Sequence, residues 1–368
     1  MTIPPIDLTR VHTRIATELS ARWQRVLEST AFILGPEVKE FEESFARFLG
    51  APRCVGVANG TDALVIALKA LGVAPGDEVL VPAFTFFATA EAVMLVGGRP
   101  VFVDIDPKTY NLDPADAAAR ITPRTVGLMG VHLYGRPFDV PAVEALCAKH
   151  GLWLLEDAAQ AQGAAWGERK VGTLGKLAAW SFYPTKNLGC FGDGGAVTGS
   201  DAELVERVFF LANHGQRGRY NHLEVGTNSR LDSLQAAVLN CRLPLLAADN
   251  ARRREVACRY HGALSGVGDL RMPEDPAEAF SVYHQYTLAT SRRDELQAHL
   301  ASQGIASSVH YPAPLHRLPA VEPLGEQPPL PVSEQAAREV LSLPMFPEMT
   351  NEEVEKVSAA VRAFYGAG

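Results

Sequence analysis

The stretch Trp153–Gln160 (WLLEDAAQ) is an apolar run that ends in two carboxylates, and the later stretch Ala178–Gly189 (AAWSFYPTKNLG) is an apolar run followed by a turn with one lysine. Short apolar runs bounded by turn residues are typical of buried strands. Ligands of parallel sheets gather at the carboxyl ends of the strands. The two stretches therefore predict that Asp157 and Lys186 lie at the ligand-binding edge of one sheet.

The first part of the chain repeats this pattern, with apolar runs that alternate with helical stretches such as Asp62–Leu71 and Val140–His150. Such alternation is typical of a parallel sheet with helices on both faces. It predicts an α/β fold whose large domain holds a mostly parallel, seven-stranded sheet. The predicted strands are Cys54–Ala58, Glu78–Pro82, Pro100–Asp104, Val126–Leu133, Trp153–Glu156, Ala178–Tyr183 and Gly195–Thr198.

The pattern changes near residue 231, where a long helical stretch, Asp232–Leu246, continues towards Tyr260. We predict a large domain over residues 1–250, including an N-terminal segment, and a smaller C-terminal α/β domain over residues 251–368. The other elements predicted there are the strands Val282–Ala289 and Ser307–Tyr311 and the helices Asp294–Gln303, Ser333–Leu341 and Asn351–Tyr365.

The composition indicates a globular enzyme of a reducing compartment. The 368 residues are 47% hydrophobic and carry a net charge of -8, with acidic and basic residues interspersed, which argues against a nucleic-acid partner. The five cysteines lack the spacing of a metal site, so we expect reduced thiols and no metal. The sequence has no signal-peptide pattern and no apolar run of about 18 residues, so we expect a cytoplasmic protein with no membrane partner.

Lys186 and Asp157 together indicate a particular chemistry. A lysine at a buried strand end loses its proton easily, and the free amine attacks a carbonyl to form a Schiff base. An aspartate in the same site keeps a pyridine nitrogen protonated, and this pairing is the one that pyridoxal 5'-phosphate (PLP) requires. Each residue alone has an ordinary alternative, a solvated surface lysine and an aspartate that caps a helix.

The segment Asn59–Ala63 (NGTDA) follows the first core strand and opens a helix. Backbone N–H groups at a helix start bind phosphate, Gly60 permits a close backbone approach, and the Thr61 hydroxyl adds a hydrogen bond. Ser181 ends another strand and would supply a further phosphate contact. The alternative for Asn59–Ala63 is an ordinary turn with a helix cap.

Two more side chains are expected beside the ligand. Phe86 lies in an aromatic run just past a strand, where its ring either stacks on the pyridine face or packs in the core. Gln160 lies three residues beyond Asp157, about one helical turn, and so faces the same ligand.

On these motifs the chain resembles the DegT/StrS-type nucleotide-sugar aminotransferases, which are PLP enzymes of fold type I. The resemblance runs essentially from end to end. It covers Gly35–Val38, Asn59–Thr61, Glu156–Gln160, Ser181–Lys186, Gly192–Gly195, Gly226–Asp232, Val309–Pro312 and Leu343–Pro344.

The resemblance implies a role for each candidate residue. Lys186 would form the Schiff base with PLP, and lysine rather than histidine at this position implies transamination. Asn228 would reach the phosphate of the partner subunit's cofactor, which implies a homodimer with shared active sites. The other cofactor-binding residues would be Asp157 at the pyridine nitrogen, Gln160 at the ring hydroxyl, Gly60, Thr61 and Ser181 at the phosphate, and Phe86 at the ring face.

The resemblance also implies the substrates, L-glutamate as amino donor and a nucleotide-linked keto sugar as acceptor. The stretches His214–Arg230 and Val309–Pro312 look like those of enzymes that aminate C3 of a UDP-linked 2-acetamido-3-oxo-glucuronate, for which Arg230 would bind the carboxylate. Tyr183 instead resembles the enzymes for dTDP-3-keto-6-deoxyhexoses, and a 4-keto sugar is a further alternative.

Three of these substrate-site assignments have alternatives. Arg230 is either a substrate cation or a structural interface arginine. His310 and Tyr311 either line the sugar pocket or form a buried hydrogen-bonded pair.

Two other classes of protein fit the sequence less well. A PLP-binding regulator would usually carry an added DNA-binding module, and a dehydrogenase would carry a GxGxxG turn after a strand; the sequence shows neither feature.

Overall fold

A computed structural model of the protein describes residues 2–367, so that Met1 and Gly368, the outer ends of the two predicted domains, lie outside the described residues. The helices are α1 Leu8–Ser29, α2 Pro36–Leu49, α3 Gly60–Ala70, α4 Ala88–Leu95, α5 Pro114–Ala119, α6 Val140–His150, α7 Ala202–Ala212, α8 Ser233–Arg242, α9 Leu246–Leu264, α10 Arg293–Ser302, α11 Pro331–Glu339 and α12 Asn351–Phe364. The strands are β1 Cys54–Val57, β2 Glu78–Pro82, β3 Arg99–Val103, β4 Thr125–Val131, β5 Trp153–Asp157, β6 Ala165–Trp166, β7 Arg169–Lys170, β8 Leu177–Ser181, β9 Gly195–Thr198, β10 Ala279–Phe280, β11 Tyr286–Ala289 and β12 Val340–Leu343.

The main sheet has seven strands, the number predicted, and their order is β1-β9-β8-β5-β4-β2-β3. Strand β9 runs antiparallel to both of its neighbours, and the other paired strands are parallel. The prediction of a mostly parallel α/β sheet is confirmed. The carboxyl ends of β1, β5 and β8 therefore lie at the same edge of the sheet.

Both faces of the sheet are buried, which explains why its strands are apolar without alternation. In β5, Leu154 packs into one hydrophobic cluster and Leu155 into another. In β4, Leu128 packs into the same cluster as Leu154, and Met129 packs into the same cluster as Leu155. Neighbouring side chains of a strand point to opposite faces, so the two clusters are the two layers between the sheet and its helices.

The C-terminal part of the chain has its own apolar cluster, to which α9, α10, α12 and the two-stranded sheet β11-β12 contribute. Ile3, near the N-terminus, lies in this cluster and pairs with Ile305. Helix α9 runs through residue 250, where the domain boundary was predicted. The boundary itself stays a prediction.

The predicted strand Val282–Ala289 is wrong in its first half, because only Tyr286–Ala289 forms a strand. The backbone of the first half bonds to other segments instead: the Val282 amide donates to the Gly135 carbonyl at 2.9 Å. The buried Arg253 donates to the carbonyls of Tyr283 and Met345, at 3.1 and 3.0 Å.

Two other predictions for this part need correction. The predicted strand Ser307–Tyr311 is reduced to one isolated bridge, Ser308 with Ser342. The predicted helix Ser333–Leu341 begins earlier, at Pro331, and ends at Glu339. It ends there because the buried Val340 and Leu341 pair with Ala289 and Leu288 in the neighbouring strand.

Within residues 2–367, no helix combines the length and the apolar composition that crossing a lipid bilayer requires.

Candidate active site

Lys186 lies in a tight turn just after strand β8. Its amide donates to the Tyr183 carbonyl at 2.8 Å. The turn closes so tightly that a Cβ on Gly189 would lie 2.6 Å from the carbonyl oxygens of Tyr183 and Pro184, which glycine alone avoids. Burial lowers the pKa of Lys186 to about 8, and the charge of Asp157 opposes this shift. The free-amine fraction at neutral pH is therefore much larger than for an ordinary lysine.

Asp157 ends strand β5 and is buried, as predicted for a strand-end carboxylate. Its Oδ2 accepts a hydrogen bond from Thr89 Oγ1 at 2.8 Å, and its Oδ1 accepts one from the Ala159 amide at 3.2 Å. Burial raises the pKa of Asp157, while these two bonds and the charge of Lys186 act in the opposite direction. The site thus pairs a buried acid with the amine of a half-buried lysine.

Gly60, Thr61 and Ser181 come together where helix α3 begins. A Cβ on Gly60 would lie 2.7 Å from the Cβ of Ser181, so the glycine is required by a close approach rather than by its backbone angles. Asn59 caps the helix, because its Oδ1 accepts a hydrogen bond from the Asp62 amide at 2.8 Å. The first N–H groups of a helix have no partner within the helix, which leaves those of Gly60 and Thr61 for a ligand.

Gln160, Tyr311 and Phe86 lie on one side of the site. The Gln160 side chain accepts from the Tyr134 amide at 2.6 Å and donates to the Tyr311 hydroxyl at 3.2 Å. The ring of Phe86 lies 6.2 Å from that of Tyr311. Phe86 is 58% exposed, so the core-packing alternative does not apply and one face of its ring is open to a ligand.

His310 adjoins a cavity of about 260 Å³ that Thr185 and His284 also line. Its Nδ1 lies 3.2 Å from Ser342 Oγ. Burial and the charge of Lys186 lower the pKa of His310 to about 4, and the same two causes lower the pKa of His284 well below its usual range. Both imidazoles are therefore neutral at pH 7.

The structure adds a network around Lys186 that we did not predict. Asn187 Nδ2 donates to Asn250 Oδ1 at 2.9 Å and to the Val282 carbonyl at 3.0 Å. Its Oδ1 lies 3.2 Å from His284 Nδ1. Because both protons of the Asn187 amide are used, its oxygen must accept from His284, which fixes the proton of that ring on Nδ1. The lysine turn is thereby fastened to α9 and to the segment before β11.

Of the remaining predicted residues, Asn228 and Arg230 contact Asn213, and Tyr183 lies in the lysine turn itself. Asn228 is exposed and bridges to Asn213, and Arg230 Nη1 donates to Asn213 Oδ1 at 3.0 Å. Between them, the buried Ser229 donates to Asp62 Oδ2 at 2.6 Å, which ties this segment to the start of α3. Tyr183 is 53% exposed beside the lysine turn.

The fold and the strand-end lysine and aspartate define the class of the protein: it has the architecture of PLP-type aminotransferases. The crystal structure of Streptomyces venezuelae DesV in complex with a ketimine intermediate superposes with a TM-score of 0.96 at 45% sequence identity, over 99% of this chain and 98% of that one. The chain belongs to the DegT/DnrJ/EryC1/StrS aminotransferase family, whose sequence profile matches residues 13–362.

Three named relatives match this chain over nearly their whole lengths. The UDP-2-acetamido-2-deoxy-3-oxo-D-glucuronate aminotransferase of Pseudomonas aeruginosa is 46% identical over 97% of this chain and 98% of its own. The dTDP-3-amino-3,4,6-trideoxy-alpha-D-glucose transaminase of Streptomyces venezuelae is 46% identical over 98% and 95%. A protein named pleiotropic regulatory protein from Geobacillus stearothermophilus is 45% identical over 99% of both chains.

Proposed function

We propose that the protein moves the amino group of L-glutamate onto C3 of a nucleotide-linked keto sugar, with PLP as its cofactor. The observation that carries this proposal is the half-buried Lys186, whose amine has its pKa lowered to about 8, within electrostatic reach of the buried Asp157. A reactive amine and a carboxylate at the carboxyl edge of a parallel sheet are what PLP chemistry needs.

The residues of the site fit this cofactor. Gly60 lies so close to Ser181 that any side chain at residue 60 would fill the space between them. Helix α3 begins at Gly60, so its first N–H groups lie beside this space. A phosphate suits this position, because it carries negative charge to the positive end of the helix dipole. Thr61 supplies a hydroxyl there, and Asn228 of a second subunit would add an amide.

When bound, PLP supplies an electron sink for proton transfer at the α-carbon of the amino acid. Lys186 Nζ would hold the cofactor through its aldehyde, and the free amine would remove and return the substrate proton as a general acid–base. Asp157 would keep the ring nitrogen protonated, Gln160 would bind the ring hydroxyl, and Phe86 would contact the ring face. The two substrates use the same site in turn, so we expect ping-pong kinetics.

The preferred acceptor is a UDP-linked 2-acetamido-3-oxo-glucuronate, and the alternative is a dTDP-linked 3-keto-deoxyhexose. Relatives named for both kinds of sugar reach 46% identity, and both names place the nitrogen at C3. Arg230 favours the uronate, since its guanidinium could bind the carboxylate in two places. Tyr183, half exposed beside Lys186, favours the dTDP sugar. The sugar itself would lie near His310 and Tyr311.

A visible absorption spectrum of the PLP-loaded protein tests the proposal. Adding L-glutamate should remove the absorption of the lysine–cofactor adduct, and one sugar from a panel of UDP- and dTDP-linked 3-keto sugars should restore it. A protein that binds PLP but does not respond to glutamate would contradict either the amino donor or the transamination itself, and in the second case a regulator, the role named for the Geobacillus relative, is the alternative.

We further infer a cytoplasmic homodimer with shared active sites. Asn228 is exposed, and Ile33 pairs with Asp232 near the end of the Asn228 segment. Phe32, Ile33 and Leu34 expose between 42% and 49% of their surface, an apolar group that a second copy would cover. Sedimentation velocity should give twice the chain mass, and a monomer at micromolar concentration would contradict the shared site.

Gly60→Ala should weaken PLP binding about tenfold to hundredfold, because its Cβ would displace Ser181 by overpacking. The dissociation constant of PLP from the apoprotein measures this effect. Gly262→Ala is the matched control: it lies in α9, where a Cβ meets no atom within 4 Å. Equal PLP affinity of the Gly60 and Gly262 variants would exclude a phosphate cradle at residue 60.

The rate of PLP uptake should depend on pH through Lys186, since only the free amine attacks the aldehyde. Below the pKa of about 8, the free-amine fraction and the rate should rise about tenfold per pH unit, and above it both should level off. Stopped-flow absorption measures this rate. Nα-acetyl-lysine, with its ordinary pKa near 10.4, provides the reference, and a protein rate still rising at pH 10 would contradict the lowered pKa.

A further inference from the structure

Asp157 is held by a hydroxyl that the proposed function does not use. Thr89 is completely buried in α4, and its Oγ1 donates to Asp157 Oδ2 at 2.8 Å. A threonine within a helix commonly turns its hydroxyl back to the carbonyl four residues earlier. Thr89 instead directs its hydroxyl across to strand β5, which is a specific contact between two elements.

The hydrogen bonds around Thr89 have a defined direction. An ionised carboxylate only accepts, so the single hydroxyl proton of Thr89 must go to Asp157. Thr85 Oγ1 lies 3.4 Å from Thr89 Oγ1, and with that proton committed Thr85 is the donor. The result is a buried chain from Thr85 to Thr89 to Asp157, in which each hydroxyl polarises the next.

Four groups act on the Asp157 carboxylate besides its burial: Thr89, the Ala159 amide, Lys186 and His132. The Ala159 amide bonds Oδ1 and Thr89 bonds Oδ2, so the two oxygens are held from different sides. His132 is itself buried with its Nε2 3.1 Å from Glu156 Oε2, so its ring is committed to that carboxylate. Thr89 is therefore the side chain that fixes the rotation of the Asp157 carboxylate.

We propose that Thr89 is a positioning residue that keeps Asp157 ionised and aims its free lone pairs at the ring nitrogen of the cofactor. This inference rests on the proposed function, because it assumes that a protonated pyridine nitrogen is the partner of Asp157. Thr85 supports Thr89 in the same chain. A hydroxyl that only satisfied a buried acid would stabilise the fold without distinguishing one ligand from another.

The test compares the affinity of the apoprotein for PLP with that for its 1-deaza analogue, in which a ring C–H replaces the nitrogen. Thr89→Val keeps the shape of the side chain and removes the donor. It should weaken PLP binding about tenfold to hundredfold, the usual effect of losing a hydrogen bond to a charged group, and leave binding of the analogue nearly unchanged. Thr89→Ser should restore the affinity for PLP, and Thr85→Val should give a smaller loss in the same direction.

Equal losses for PLP and the analogue, or no loss for either, would overturn the role of Thr89. Circular dichroism establishes that each variant is folded, and Thr89→Ala replaces the valine variant if that one is not. A second readout is the pH at which the absorption of the bound cofactor changes, which should shift in the valine variant and return in the serine variant. If the unaltered protein binds no PLP, the proposed function fails, whereas selective failure of the Thr89 comparison leaves that function intact.

Discussion

Replacing Lys186 with alanine is expected to lower the turnover number by about 10⁴-fold or more, since the variant loses both a nucleophile and a general acid–base. The methyl group cannot hold the cofactor aldehyde, so the visible absorption of the adduct should also disappear. The lowered pKa of Lys186 increases its free-amine fraction at neutral pH, which is the form that the proposed reaction requires. Single-turnover measurements with L-glutamate and a preferred keto sugar provide the rate.

The matched control for this variant is Lys176→Ala, which removes an exposed lysine just before strand β8. Its backbone amide donates to the Leu154 carbonyl at 2.9 Å and is unaffected by the substitution. Wild-type turnover is expected there. Near-normal turnover in the Lys186 variant would show that another group performs the proton transfer.

Replacing Asp157 with asparagine is expected to lower the turnover number about 10³-fold, the upper end of the loss found when one group that stabilises transition-state charge is removed from an active site. The amide has the shape of the carboxylate and can still accept one of the two hydrogen bonds from Thr89 and Ala159. It lacks the negative charge that keeps the ring nitrogen protonated. PLP should still react with Lys186, so the spectrum with PLP should survive while turnover does not.

Asp201→Asn serves as the comparison, because Asp201 caps helix α7 and asparagine caps helices about as well. That variant should keep full turnover and stability. A mild loss in the Asp157 variant, of the order of twofold, would mean that the buried carboxylate has a structural role and that the ring nitrogen is protonated by other means.

The sheet was predictable because its seven strands are buried on both faces and so are apolar throughout. Helices α1 and α2 were not predicted. The elements of the C-terminal part were harder to predict, because its short strands alternate with segments whose backbone forms hydrogen bonds with distant loops. Val282 is an example: it is apolar and fully buried like a strand residue, yet its amide bonds to Gly135 in the other part of the chain. The local sequence does not predict a hydrogen-bond partner that lies so far away along the chain.

The positions of Lys186, Asp157 and Gly60 in the fold were predictable, because each of them ends or follows a strand. Thr89 was missed because nothing in the sequence distinguishes its hydroxyl from that of Thr85, four residues earlier. Only the hydrogen bond that joins the start of α4 to the end of β5 distinguishes the two threonines. Asn228 is a different case. Its predicted role needs a second copy of the chain, so it stays a prediction.

The hydrogen bonds that fasten the lysine turn to the C-terminal part have a consequence for how such enzymes diverge. Asn187 reaches that part through the backbone carbonyl of Val282 and through the ring of His284. A carbonyl is present whatever the side chain, so the first link constrains the path of the chain at Val282 but not its composition, whereas the second link requires the histidine. Substitutions can therefore accumulate at Val282 while the Lys186 turn stays in place, and we expect acceptor specificity to diverge around His284 rather than at it.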